Sequence, residues 1–456
     1  MRRRTTAVAA ATAALVLGVP SPAWAHGIGG RLDLPVPTWL FVYGSATAVI
    51  VSFVALAVLW KEPRLEGQAT GRPFPGWAQR LLRGPVQDGV VRTVSVAAFL
   101  VTLVAAAGGT TSPTGNLAPV LVYVWVWVGL AFAHALFGNW WATLSPWDTI
   151  ARFLKVGERP WRPYPLAWGK WPAALLLGGF VWMELVYPFG DSPRALAAAI
   201  VAYSAITLAG MAVFGRDAWN RGGEAFAVYF GLLSRLAPVT RLPDGRVARR
   251  PLLGGLPSLR PQPGLVPFVM VLIGSTGFDG LTGTALWTSL TGSLGPVAGT
   301  VAGTAGLVGV ILLVSLAYTV AMMGASAVAG TPWHPLSVRF VHSLVPIAFA
   351  YVAAHYFSLL VLEGQLGISA LSDPLGRGWD VFGTAGLTVN LALLSAAAIW
   401  YVQVAAIVAG HVAGVVLAHD KAVAAFRRDL STRSQYALLA IMVMFTVGGL
   451  VILSGR

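Results

Sequence analysis

Apolar residues along this chain fall in long blocks, not in short repeats, and each block is closed by a polar stretch rich in Pro, Gly and Arg. Ten such blocks follow the first 37 residues: 38–60, 93–108, 118–138, 171–188, 195–214, 265–287, 297–325, 340–362, 386–417 and 436–453. Runs such as Val120–Phe137 and Ile347–Leu362 carry almost no charge. A helix rises 1.5 Å per residue, so ~20 apolar residues cross a ~30 Å hydrocarbon core. Lipid offers the backbone no hydrogen bonds, so such runs close their own as helices. The pattern predicts an all-α fold, a polytopic transmembrane helical bundle of about ten spans.

The beginning of the chain has a different layout. Arg2, Arg3 and Arg4 precede a short apolar run, Ala7–Val19, and then Ala23-Trp24-Ala25. This is the arrangement of a secretory signal peptide with a small-residue cleavage site. The expectation is a signal peptide over 1–25 and one integral membrane domain over 26–456. Cleavage after Ala25 would leave His26 as the outer N-terminus, where its amine and imidazole together suit a metal such as copper.

Composition agrees with this reading. The chain is 56% hydrophobic and 11% charged, against about 25% charged in soluble domains. It has no cysteine, which excludes disulfides, thiolate metal sites and cysteine nucleophiles. A net charge of +14 would suit nucleic acid, but the placement of the charges argues for topology instead. With the mature N-terminus outside, the inner loops hold 24 Lys and Arg and the outer segments four, Arg31, Arg194, Arg377 and Arg456. That asymmetry is the positive-inside pattern of a multi-pass membrane protein, with the bilayer as its partner and no role for nucleic acid.

Within the inner loop 215–262, Asp217–Pro238 mixes Trp219, Phe226, Tyr229 and Phe230 with Arg216, Arg221 and Arg235. The mixture predicts one amphipathic helix lying on the inner surface, followed by a linker over 239–262. Gly295, Gly299 and Gly303 recur every fourth residue and predict a close-packed helix face.

Ionisable residues inside apolar runs are costly and point to function. Glu184, Asp279 and His355 lie in the fourth, sixth and eighth runs, which share one direction. Each falls ~20 to 22 Å from its inner boundary, in the outer third of the core. Tyr187 and Asn390 are expected near that level, with Gln403 in the ninth run, Glu363 at the rim and His26 on the same side. No local metal spacing such as H-x-x-x-H occurs, so a metal site would be assembled from several helices. Three readings follow: a divalent zinc or copper site that activates water, a relay for protons or ions, or interhelical hydrogen bonds that hold the bundle. In the metal reading Glu184 and Asp279 serve catalysis, and His355, His26 and Glu363 bind the ion.

A second layer holds His134, His342 and His411, ~3 to 9 Å from the inner boundary, with His419 at the end of the ninth run. A bis-histidine haem from His342 and His411 is one reading. Interfacial histidines bonded to water and headgroups are the other.

Three stretches carry a family resemblance: Ala25–Gly44 (AHGIGGRLDLPVPTWLFVYG), Ala354–Gln365 (AHYFSLLVLEGQ) and Ile399–Asp420 (IWYVQVAAIVAGHVAGVVLAHD). The chain resembles, from His26 to about Ser454, bacterial membrane proteins that carry the label fenitrothion hydrolase. The resemblance implies hydrolysis of an organophosphate triester, a small apolar substrate that partitions into lipid. It assigns no residue roles. No P-loop, Rossmann fingerprint or G-x-S-x-G in a strand context is present. The function classes are therefore a metal-dependent hydrolase, a proton- or metal-ion-linked transporter, and a structural subunit of a membrane complex.

Overall fold

The computed structural model describes residues 37–68, 71–82 and 84–454. The signal segment, His26 and Arg31 lie outside the described residues, as does Arg456. Within them the chain is mostly helical, with almost no strand. The membrane helices are α1 (Thr38–Leu59), α2 (Pro85–Gly108), α3 (Leu117–Phe137), α4 (Trp171–Leu185), α5 (Pro193–Phe214), α6 (Leu265–Thr282), α7 (Pro296–Ala329), α8 (Val345–Leu362), α9 (Ala396–Ala425) and α10 (Tyr436–Ser454). Among the described residues nine helical segments are long and apolar enough to cross a membrane, and α4, at 15 residues, is the tenth and shorter. The chain is an integral membrane protein built as an all-α bundle.

Two predicted boundaries shift. The ninth run was expected to start at 386, but α9 begins at Ala396 because Ser395 caps it, its hydroxyl accepting from the Ala398 amide at 3.1 Å. The sixth run divides after Thr282, where Thr284 caps a short helix, Ala285–Thr291. Inside α3, Val120–Gly129 winds as a π-helix. The wider turn sends Trp125 to the Gly364 carbonyl at 3.0 Å, while Trp127 stacks near Tyr229 with ring centroids 4.6 Å apart.

Burial separates helices that the sequence makes look alike. In α1 and α2 only 17% of the apolar window is buried, against 67% in α6 and 72% in the segment that contains α8. Side chains such as Tyr43, Val58 and Leu59 on α1 point outward, where lipid would receive them. α6 packs against α4, α7 and α8, and α8 packs against α9. The α8–α9 contact depends on glycine. A Cβ at Gly410 would stand 2.2 Å from the Ala350 Cβ and 2.8 Å from the Pro346 carbonyl, and one at Gly414 would stand 2.9 Å from the Ser343 carbonyl. Small residues let membrane helices approach in this way. The predicted Gly295–Gly299–Gly303 face behaves so only in part. Gly295 and Gly299 have nothing within 4 Å, a Cβ at Gly303 would stand 3.1 Å from Val186, and a closer approach is at Gly306, against Trp287 and Phe278.

The loop after α5 also differs from the single surface helix expected there. Two helices form, Arg216–Gly222 and Ala225–Leu233. The second is apolar all round, so it packs inside, with Tyr229, Phe230 and Leu233 buried against α3, α4 and α8. Glu224 starts it. This fully buried carboxylate accepts from the Phe226 and Ala227 amides at 2.9 and 2.6 Å, from Trp141 Nε1 at 2.9 Å, and from the Tyr203 hydroxyl. The segment beyond is not a plain linker. β2 (Val239–Arg241) and β3 (Val247–Arg249) form a hairpin, and β1 (Arg72–Pro73) joins it antiparallel in the order β1–β3–β2.

Candidate functional site

α6 carries Asp279 in its last turn, and α8 carries His355 and Tyr356 at mid-length. Because α6 and α8 are the enclosed helices, all three side chains are buried: Asp279 is 4% exposed, His355 5% and Tyr356 3%. His355 Nε2 lies 2.6 Å from Asp279 Oδ2, and the Tyr356 hydroxyl donates to the same oxygen at 2.8 Å. The His355 and Tyr356 rings meet edge-on at 4.5 Å. The tight spacing and the carboxylate acceptor mark strong, charge-assisted hydrogen bonds.

Glu184 approaches from α4, which packs on α6. It lies within electrostatic reach of Asp279, Tyr356, Tyr229 and Tyr123. Its Oε2 is buried without a hydrogen-bond partner, as are the Tyr229 hydroxyl and Trp127 Nε1. The centre therefore holds two carboxylates, an imidazole and a phenol, bordered by donors and acceptors with bonding capacity to spare. An unpaired polar group away from water costs free energy, so such a cluster suits groups that exchange protons or bind a polar visitor.

The other residues expected in this layer fall elsewhere. Tyr187 lies past the end of α4, exposed, and stacks on Trp182 at 5.8 Å. Asn390 precedes α9 in an exposed loop, where its side chain caps Ala392 and its amide donates to the Gln365 side chain at 2.9 Å. Gln403 is half-buried on α9, and Glu363 ends α8 eight residues beyond His355, ~12 Å along the axis. Among the described residues no three His, Asp or Glu side chains converge as a metal-ligand set, and His26 lies outside them. Of the residues expected around a divalent zinc or copper ion, Asp279 and His355 are the two in direct contact among the described residues.

The inner histidines are not gathered either. His134 Nδ1 donates to the Leu130 carbonyl at 2.6 Å and Nε2 accepts from the Trp141 amide at 2.9 Å, with Phe230 stacked on the ring at 4.4 Å. His419 bonds the Trp60 carbonyl at 2.9 Å and the Gln435 amide at 3.2 Å. Neighbouring Asp420 takes Trp60 Nε1 at 3.0 Å and the Arg64 amide at 2.6 Å, so the pair clamps the end of α1. His342 and His411 each bond a backbone carbonyl through Nδ1 and keep a buried Nε2 without a partner. His411 packs beside Tyr351 at 6.0 Å, nine residues along the chain from His342. These histidines do not face water and headgroups, since all four are buried.

Sequence reasoning overlooked Tyr356, Tyr229 and Glu224. Tyr356 follows His355 directly and carried a usable signal, a second polar group on an otherwise apolar helix. Tyr229 and Glu224 carried none, because they sit in a segment that reads as a helix on the inner surface.

No family model, curated protein or solved structure matches this chain.

Proposed function

We propose that this protein passes protons across the bacterial cytoplasmic membrane through the Glu184–Asp279–His355–Tyr356 cluster, as the ion pathway of a transporter. The observation that carries the reading is the 2.6 Å contact of His355 with Asp279, shared with Tyr356 and buried between the two most enclosed helices. Carboxylates and imidazoles in membrane helices recur in proton relays. A proton can move between an imidazole and two carboxylates without leaving an isolated charge in the bundle. In this reading the Arg- and Lys-rich loops face the cytoplasm and the cluster lies nearer the outer surface. The test is proton uptake by proteoliposomes loaded with a pH-sensitive dye under an imposed membrane potential. Uptake above that of empty vesicles, abolished by Glu184→Gln or Asp279→Asn, supports the proposal, and uptake no faster than in empty vesicles defeats it.

The same contact favours a second reading, hydrolysis of an apolar phosphotriester as the family resemblance implies. A carboxylate that orients an imidazole is the usual support of a general base. Purified protein would then release phenol from a chromogenic dialkyl aryl phosphate, and His355→Ala would stop it. Turnover that persists in His355→Ala removes this reading.

A further inference from the structure

Remote from the cluster, a cleft of about 660 Å³ opens where α3 and α4 meet the Arg-rich loops. Its wall carries six cations: Arg152, Lys170, Arg221, Arg235, Arg241 and Arg250. It carries two carboxylates, Asp148 and Asp217. Asp148 is already engaged by Arg92, Arg152 and Arg216 at 3.1, 2.7 and 3.3 Å. Asp217 is exposed and pairs with Arg216 at 3.5 Å. The other five cations have no carboxylate partner among the described residues.

Three of those five are held in place by neutral groups. Lys170 Nζ donates to the Arg221 carbonyl at 2.5 Å. Arg235 donates to the Gly255 carbonyl and the Ser258 hydroxyl, both at 3.0 Å. Arg250 is buried, and its guanidinium donates to the Ser234 and Ala237 carbonyls at 2.8 and 3.0 Å. Burial and the nearby Arg235 and Arg221 lower the Lys170 ammonium to about 8, and burial and Arg235 lower Arg250 to about 10. The cations lining one wall concentrate positive charge in one concave place, and a concave wall of one sign focuses the potential on an oppositely charged ligand. Arginine forks match phosphate geometry, and lysine adds a point charge.

We propose that this cleft binds a phosphate-bearing anion, either the headgroup of an anionic phospholipid or a water-soluble phosphate, through Lys170, Arg221, Arg235 and Arg241. The volume falls in the range of small-ligand pockets. Lys170 immediately precedes α4, so the cleft lies at the level where lipid headgroups meet a span.

The experiment uses the full chain in phosphatidylcholine nanodiscs and measures binding by calorimetry. One arm titrates inorganic phosphate, and the other titrates short-chain phosphatidylglycerol, with short-chain phosphatidylcholine as control. Saturable binding is expected in at least one arm, weakened tenfold or more by Lys170→Gln combined with Arg221→Gln. Tighter binding of phosphatidylglycerol assigns the site to a headgroup, and tighter binding of phosphate assigns it to a soluble ligand. Arg241 is exposed on its short strand and has no charge partner, so Arg241→Gln keeps the fold and should also weaken binding severalfold. Absence of saturable binding in both arms overturns the proposal, and so does binding that Lys170→Gln/Arg221→Gln and Arg241→Gln leave unchanged.

Discussion

Replacing Asp279 by asparagine removes one charge and no heavy atom, which makes it the sharpest probe of the buried cluster. Asp279 Oδ2 accepts from His355 Nε2 at 2.6 Å and from the Tyr356 hydroxyl at 2.8 Å. An amide oxygen can keep both contacts, but as neutral bonds. A hydrogen bond to a charged group is worth about 1.5–3 kcal/mol and a neutral one about 0.5–1.5 kcal/mol, so two such exchanges cost about 2–3 kcal/mol. That is a visible loss of thermal stability in detergent and is not expected to unfold a bundle of this size. The functional loss is larger in kind, since an amide cannot take up a proton at neutral pH. Proton uptake in dye-loaded proteoliposomes should fall at least tenfold, a barrier increase of about 1.4 kcal/mol or more. Circular dichroism and the melting profile report the fold separately. A folded Asp279→Asn protein that takes up protons at the wild-type rate would refute the relay.

Tyr356→Phe deletes one donor to the same oxygen and should lower stability by about 1–2 kcal/mol, with proton uptake reduced but measurable in the same vesicles. Glu224→Ala strips four donors of their acceptor and should destabilise by about 3–5 kcal/mol, seen as rapid proteolysis of the loop between α5 and α6, whereas proteolysis at the wild-type rate would contradict the anchoring role. Gly410→Val places a Cβ about 2.2 Å from the Ala350 Cβ and should cost about 1–3 kcal/mol or more by overpacking, read as a lower melting temperature. Lys170 is lowered to about 8 in the folded protein against an ordinary 10.5, so the folded state holds fewer protons than the unfolded one across that window. Stability should therefore rise as pH goes from about 8 towards 10.5 and level off on either side, below about 8 where both states hold the proton and above about 10.5 where neither does. Lys170→Gln should flatten that part of the profile in a denaturation series.

The pattern of apolar blocks was sufficient for the class of fold, since hydrocarbon thickness and the need to close backbone hydrogen bonds leave a helix as the single outcome for such runs. It also marked Asp279 and His355, because an acid and an imidazole in apolar runs stand out on cost alone. The runs themselves are apolar around their whole circumference, so nothing in them told α6 and α8, which are enclosed, from α1 and α2, which are not. Tyr229 reached the cluster from a segment that reads as a surface helix, because the helix Ala225–Leu233 turns inward and does not lie on the surface. Asn390 left the layer because Ser395 starts α9 later than hydropathy suggests.

Sequence alone thus determined that the chain is a membrane bundle and which residues are expensive to bury. These are one-dimensional properties, set by composition, length and axial rise. Only the tertiary structure decided that Asp279, His355 and Tyr356 share one oxygen, that Glu184 is their neighbour, and that five cations without carboxylate partners line one cleft. Those facts depend on the rotation of each helix about its axis and on which helices pack together, and close contacts such as Gly410 against Ala350 fix both.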